Sequence, residues 1–272
     1  MSSRLENKVA IITGAGSGLG EAAAKRFAAE GAAVLCADIN ADTAERVAQA
    51  IVADGGRAQP AHVDVTRLED TERMAAQAVE TWGTIDVLYA NAGVSGPGSP
   101  LTCEPATWDR LIAINLTGVW YSVRSVLPTM LDASRGSLIL QTSVAGLVGA
   151  RSNIAYTAAK GGVVAMGRQL AAEYGRHGVR TNCIAPAMMM TPLVIQTYRR
   201  YVDDGRYESL ETALAEAATL NPSGRIGTPD ECASLALFLA SDEAAWINGV
   251  VCPIDGGLTA TREHAVGKTA RA

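Results

Sequence analysis

Tyr156 and Lys160 stand four residues apart in "NIAYTAAKGGVVAMG", residues 153–167, with three small residues between them and Gly161 and Gly162 after them. Four apart on a helix places two side chains one above the other on one face. A phenol beside a fixed positive charge ionises more readily. A free tyrosine, with a pKa of about 10, is a poor base at neutral pH. An ammonium about 4 Å away, at an effective dielectric of about 20, is worth roughly 4 kcal/mol before desolvation. That is the right size to lower the phenol by about two or three units. The chemistry implied is proton transfer at a hydroxyl; an isolated pair of this kind is also compatible with ordinary surface. The glycines, with Ala158, Ala159 and Ala165, make a flat helix face that a second helix can approach.

A second constellation points to a nucleotide. "VAIITGAGSGLGEAAAKRFAAEG" reads as strand, glycine turn and helix, with Gly14, Gly18 and Gly20 at G-x-x-x-G-x-G spacing. Such a turn lets a pyrophosphate lie against backbone N–H groups at a helix N-terminus. Asp38 ends the next apolar run, eighteen residues after Gly20. A carboxylate there accepts hydrogen bonds from an adenosine ribose and repels a 2′-phosphate. Ser17 and Ile39 offer no cation for such a phosphate, so the expected cofactor is NAD. Asp64 and Val65 close the third expected strand, where an adenine could rest or where the strand simply ends.

Elements that can hold these residues are legible from periodicity. Residues 8–13, 32–38, 57–65, 85–93, 136–143, 179–186 and 249–257 read as strands. Residues 18–30, 41–54, 67–82, 105–133, 153–175 and 229–240 read as helices. Near-continuous apolar strands alternating with helices predict an α/β fold: one doubly wound parallel sheet of about seven strands with helices on both faces. No repeat or linker divides residues 1–272, which reads as a single dinucleotide-binding domain. Residues 187–222 form an insertion beyond a strand's C-terminal end, the ligand side of such sheets, and 258–272 a polar tail.

Composition narrows the function classes. The 272 residues carry a formal net charge of -5 and no basic run, which argues against nucleic acid and anionic membranes as partners. The N-terminal apolar run is too short for a membrane span or signal peptide. The five cysteines are scattered, with no C-x-x-C pair, and read as buried thiols of a cytoplasmic protein. The histidines form no ligand cluster, so no metal site is expected.

The set "TGAGSGLG" (13–20), "NAG" (91–93), Asn115 in "INLTGVW", Ser143 in "LQTSVAG" and "YTAAK" (156–160) resembles the short-chain dehydrogenase/reductases, over about residues 5 to 257. The resemblance implies an oxidoreductase interconverting a secondary alcohol and its ketone. In it, Tyr156 is similar to the general acid/base, and Lys160 to the lysine that lowers its pKa and holds the nicotinamide ribose. Ser143 is similar to the serine that hydrogen-bonds the substrate oxygen, and Asn115 to the asparagine that holds a relay water. Asn91, with Ala92 and Gly93, resembles the segment that steadies the sheet beside the cofactor. Leu19 falls within the glycine turn, and Pro186 to Thr191 resembles the stretch over the nicotinamide amide. A homotetramer is implied as well.

The residues themselves keep alternatives open. Ser143 can be a turn cap. Asn115, a poor helix former in an apolar helix, fits a bulge with a bound water or a polar face. Ala187 stands where the family usually has glycine, which bears on cofactor contacts from 186 to 191. Substrate choice is expected from the 94–103 and 144–153 loops and the 187–222 insertion, whose Met188, Met189 and Met190 suit an adaptable apolar wall. That favours a small or medium apolar or cyclic secondary alcohol. The competing readings are an NADPH-dependent ketoacyl reductase and a non-catalytic dinucleotide sensor.

Overall fold

The computed structural model describes residues 3–261. Most of the tail read at 258–272 therefore lies outside the described residues. Seven strands form one parallel sheet in the order β3-β2-β1-β4-β5-β6-β7. They are β1 (Val9–Thr13), β2 (Ala33–Asp38), β3 (Arg57–His62), β4 (Val87–Ala90), β5 (Gly136–Gln141), β6 (Val179–Pro186) and β7 (Val251–Ile254). The helices are α1 (Gly18–Ala29), α2 (Ala41–Ala53), α3 (Leu68–Trp82), α4 (Pro105–Ile112), α5 (Gly118–Asp132), α6 (Ile154–Tyr174), α7 (Pro192–Asp203), α8 (Leu210–Ala218) and α9 (Pro229–Ala240). The predicted fold class holds, strand by strand.

Period-two alternation explains the layers. Along β1, Ala10 and Ile12 join a buried cluster with Phe27 of α1 and Leu237 of α9. Val9 and Ile11 point the other way, into a cluster with Met74 of α3, Val123 of α5 and Val163 of α6. Both faces of β1 are thus dry, as its wholly buried pattern requires. Removing a side chain such as Phe27 from this packing costs about 3–5 kcal/mol. β3, at one edge, alternates instead between exposed and buried residues.

β1 pairs with β2 on one side and β4 on the other. After β3 the chain crosses back over β1 to begin β4. This is the reversal point at whose carboxyl edge ligands bind in open α/β sheets. The site residues expected from the sequence gather at or just beneath this edge.

Three expectations change. β3 ends at His62, so Asp64 and Val65 lie beyond it, on a turn where Thr66 N–H and hydroxyl bond Asp64 Oδ1 at 2.9 and 2.7 Å. The helix expected over 105–133 is broken by a π-helical turn, Ala113–Thr117, centred on Asn115. The 187–222 insertion contains two helices, α7 and α8. Each is capped by a hydroxyl: Thr191 accepts from Val194 N–H and Ser209 from Thr212 N–H. Ser/Thr caps three residues ahead of such N–H groups are the usual helix start.

Candidate active site

The carboxyl ends of β1, β2, β4, β5 and β6 enclose a cleft of about 770 Å³, within the range that holds small ligands and cofactors. Its lining includes Gly14, Ser17, Gly18, Leu19, Asp38, Asp64, Val65, Asn91, Ala92, Gly93, Asn115, Ser143, Tyr156, Lys160, Pro186 and Thr191. Of the site residues expected from the sequence, only Gly20 is absent from the walls. It lies just beneath them: a Cβ on Gly20 would stand 2.1 Å from the Gly14 carbonyl oxygen. Its glycine lets α1 sit directly on the turn.

At the glycine end, Gly14 and Gly18 have φ of +67° and +56°, the left-handed region that side chains disfavour. Thr13 Oγ1 accepts from Asn91 N–H at 3.0 Å and Ala92 N–H at 3.1 Å, while Asn91 Nδ2 donates to Thr13 O at 2.9 Å. Asn91 thereby ties the end of β4 to the turn after β1. Asp38 Oδ2 accepts from Gly16 N–H at 2.8 Å and Oδ1 from Asn40 N–H at 2.9 Å. Asn40, not Asp38, caps α2. Each Asp38 oxygen keeps acceptor capacity for a ribose hydroxyl.

The other end gathers the chemistry. Asn115 is wholly buried in its π-turn, so it is not on a polar surface. Its Nδ2 donates to Val94 O and Leu111 O, both at 3.0 Å, and its Oδ1 accepts from Val94 N–H at 3.1 Å. Both amide hydrogens are committed, and Oδ1 alone keeps a free lone pair. A Cβ on Gly93 would come 2.8 Å from that Oδ1 and 3.5 Å from Lys160 Nζ. Gly93 therefore keeps open the space between the two groups.

Ser143 is both a turn cap and a wall of the cleft. It caps a 3-10 turn, accepting from Ala145 N–H at 3.2 Å, and it lines the cleft with Tyr156. Lys160 is 2% exposed and donates to Gln141 O at 2.8 Å. Its Nζ lies over the Tyr156 ring, 5.7 Å from the centroid. Burial lowers the Lys160 ammonium to about 8. Burial also raises the Tyr156 phenol, and its hydrogen bond with Ser143 only partly offsets this. In the ligand-free chain desolvation is the larger effect on the phenol.

Ala187 has an ordinary backbone: it is not among the positive-φ residues, and its N–H donates to Ile254 O at 3.1 Å. Its methyl therefore causes no backbone strain. Only Met189 of the three methionines lines the cleft; Leu193 and Val194 supply the rest of that apolar wall. Gly162 packs within the chain, its missing Cβ leaving 3.0 Å to Leu116. Cys36, Cys183 and Cys232 are buried free thiols, but Cys103 and Cys252 are half-buried. Among the described residues no three His, Cys, Asp or Glu cluster as metal ligands, and no helix is long and apolar enough to cross a membrane.

Sequence reasoning missed two groups. Gly16, the fourth glycine of the turn, is pressed against Thr43: a Cβ there would lie 2.2 Å from Thr43 Oγ1. The strict every-second-residue spacing of Gly14, Gly16, Gly18 and Gly20 was its signal. Arg46 brings a guanidinium to the same turn, donating to Gly16 O at 2.8 Å. No local pattern in α2 marks it.

A family model described as enoyl-(acyl carrier protein) reductase matches residues 14–259. The chain is 38% identical over 258 residues to meso-2,3-butanediol dehydrogenase of Serratia marcescens, covering 95% of this chain and 97% of that one. It is 36% identical over 260 residues to cyclohexanol dehydrogenase of Acinetobacter sp. (strain SE19), covering 95% and 98%. The crystal structure of levodione reductase superposes with a TM-score of 0.90 at 36% identity, covering 95% of this chain and all of that one. Dehydrogenases of this group use nicotinamide dinucleotides. The chain belongs to the short-chain dehydrogenase/reductase family and is an oxidoreductase.

Proposed function

We propose that the protein interconverts a small secondary alcohol and its ketone, using NAD(H). The observation that carries this reading is one cleft with Asp38 and the glycine turn at one end and Tyr156, Lys160, Ser143 and Asn115 at the other. The cradle fits a dinucleotide: glycines where side chains would intrude, backbone N–H groups at the start of α1, and a carboxylate with acceptor capacity left. Gly14, Ser17, Gly18, Leu19 and Gly20 would hold the pyrophosphate, Asp38 the adenosine ribose, and Asp64 and Val65 the adenine. Asn91, Ala92, Gly93, Pro186 and Thr191 would frame the nicotinamide half. A bound nicotinamide supplies the hydride acceptor or donor.

The chain's own groups handle the proton. The Tyr156 hydroxyl takes it from the alcohol, or gives it to the ketone, at the substrate oxygen. Ser143 Oγ hydrogen-bonds that same oxygen and keeps it aimed at Tyr156. Lys160, charged below about pH 8, favours the phenolate and offers donors to a ribose. Asn115 Oδ1 is the one acceptor of its amide left for a water between it and Lys160.

The apolar wall of Met189, Leu193 and Val194 suits an apolar or cyclic carbinol. We read residues 1–272 as one domain acting in the cytoplasm as a homotetramer. Trp108 and Trp120, exposed on α4 and α5, motivate the assembly, which light scattering tests. The function is tested by NADH formation across a panel including 2,3-butanediol and cyclohexanol, with NAD and NADP in parallel. Turnover with NAD supports the reading. Stronger turnover with NADP would overturn the reading of Asp38, and no turnover of any secondary alcohol or ketone would overturn the reaction class.

A further inference from the structure

Behind the glycine turn, outside the cleft walls, lies an ion pair that the dinucleotide reading does not use. Arg46, on α2, donates from Nη1 to Glu21 Oε1 at 2.9 Å and from Nη2 to Glu21 Oε2 at 2.7 Å. This is a two-pronged guanidinium–carboxylate contact, the strongest geometry for such a pair. The same Nη2 donates to Gly16 O at 2.8 Å. From the other side, Asp38 Oδ2 accepts from Gly16 N–H at 2.8 Å. Gly16 is therefore gripped at its carbonyl by Arg46 and at its N–H by the expected ribose-binding carboxylate.

The placement has a consequence for ligand choice. Arg46 sits three residues along α2 from Thr43, which touches Gly16. Its side chain is 52% exposed, and that of Glu21 21%. Nothing but Glu21 and the Gly16 carbonyl holds this guanidinium among the described contacts. A cation this close to Asp38 is the kind of group that a ribose 2′-phosphate attracts. Glu21 occupies both prongs and cancels the charge. Lys25, one turn further along α1, also bonds Glu21, at 2.7 Å.

We infer that Glu21 is a specificity-determining residue: its carboxylate withholds Arg46 from a 2′-phosphate, and the pair together positions Gly16 for the adenosine half of the cofactor. Asp38 selects against the phosphate by repulsion, and Glu21 selects against it by occupying the guanidinium beside Gly16. Specificity in binding sites commonly combines both kinds of element. Ser17 and Ile39 alone gave no view of this, because the cation arrives from a different helix.

This inference rests on the dinucleotide reading, so its test is equilibrium binding rather than turnover. NADH and NADPH are titrated by fluorescence against wild type, Glu21→Gln, Arg46→Gln and the double variant, with circular dichroism as a check on folding. The quantity read is the ratio of NADPH to NADH dissociation constants. Glu21→Gln should lower that ratio about tenfold or more, and Glu21→Ala, which also frees Arg46, should move it the same way. Arg46→Gln should not lower it but should weaken both dinucleotides a few-fold, because Gly16 loses its clamp. The double variant should return the ratio to near the wild-type value. An unchanged ratio in both Glu21 variants overturns the inference. So does a gain that survives in the double variant, since it would come from Lys25 or from lost negative charge alone. If the wild-type chain binds neither dinucleotide, the underlying reading fails as well; binding without a ratio shift overturns this inference alone.

Discussion

Lys160→Met separates the two effects that act on Tyr156. Burial raises the phenol, and the Lys160 ammonium lies 5.7 Å from the ring centroid, close enough for its charge to oppose that rise. A unit charge about 6 Å away, at an effective dielectric of about 20, is worth roughly 3 kcal/mol. That corresponds to about two pH units. The variant should therefore move the midpoint of the alcohol-oxidation pH profile up by about two units and cut the rate at pH 7 about a hundredfold. The assay is kcat against pH with saturating dinucleotide and a responsive secondary alcohol. A rate loss with an unmoved midpoint would refute the electrostatic argument and leave Lys160 only a positioning role. The same lysine has a signature in stability. Its ammonium is lowered from 10.5 to about 8 in the folded chain. Between those values the unfolded chain holds a proton that the folded one does not, so this group makes stability rise with pH across that window. Lys160→Met should flatten the rise in denaturant midpoints measured from pH 8 to 10.

Other outcomes follow from single contacts. Asn115→Ala leaves the half-buried Val94 N–H and C=O without this partner, and chemical denaturation should show a loss of about 1–3 kcal/mol together with loss of turnover. Gly20→Ala puts a methyl 2.1 Å from the Gly14 carbonyl oxygen, so the turn must open; NADH binding should weaken at least about tenfold while circular dichroism stays native. Cys36 and Cys183 are pushed up to about 12 and Cys232 to about 11, mainly by burial. A thiol reagent at pH 8 should leave these three unlabelled until the chain unfolds.

The parts of this molecule that were legible in sequence are those written in local pattern. Val9 to Ile12 is apolar throughout because both faces of the strand are dry, and that run alone implied a central parallel strand. Gly14, Gly18 and Gly20 announced a turn because only glycine accepts their conformation or contacts. Asn115 was readable as a bulge because an amide in an apolar helix needs a reason. What remained hidden depends on contacts between distant elements. Arg46 reaches Gly16 across thirty positions, and nothing near either residue records it. The bounds of α7 and α8 stayed unread within the insertion because α7, though amphipathic, buries no residue fully, so its apolar positions read equally well as a cleft wall. The direction of the Tyr156 phenol in the ligand-free chain was not legible from spacing, because spacing says nothing of desolvation.

The central claim is that the Tyr156 hydroxyl carries the proton while the rest of the cleft binds. Tyr156→Phe removes one oxygen and tests it most directly, with turnover of a responsive alcohol and NADH binding measured on the same protein. The account predicts a fall in kcat of about a hundredfold to ten-thousandfold with the NADH dissociation constant within a few-fold of wild type. A Phe variant that oxidises the alcohol as fast as wild type would contradict it.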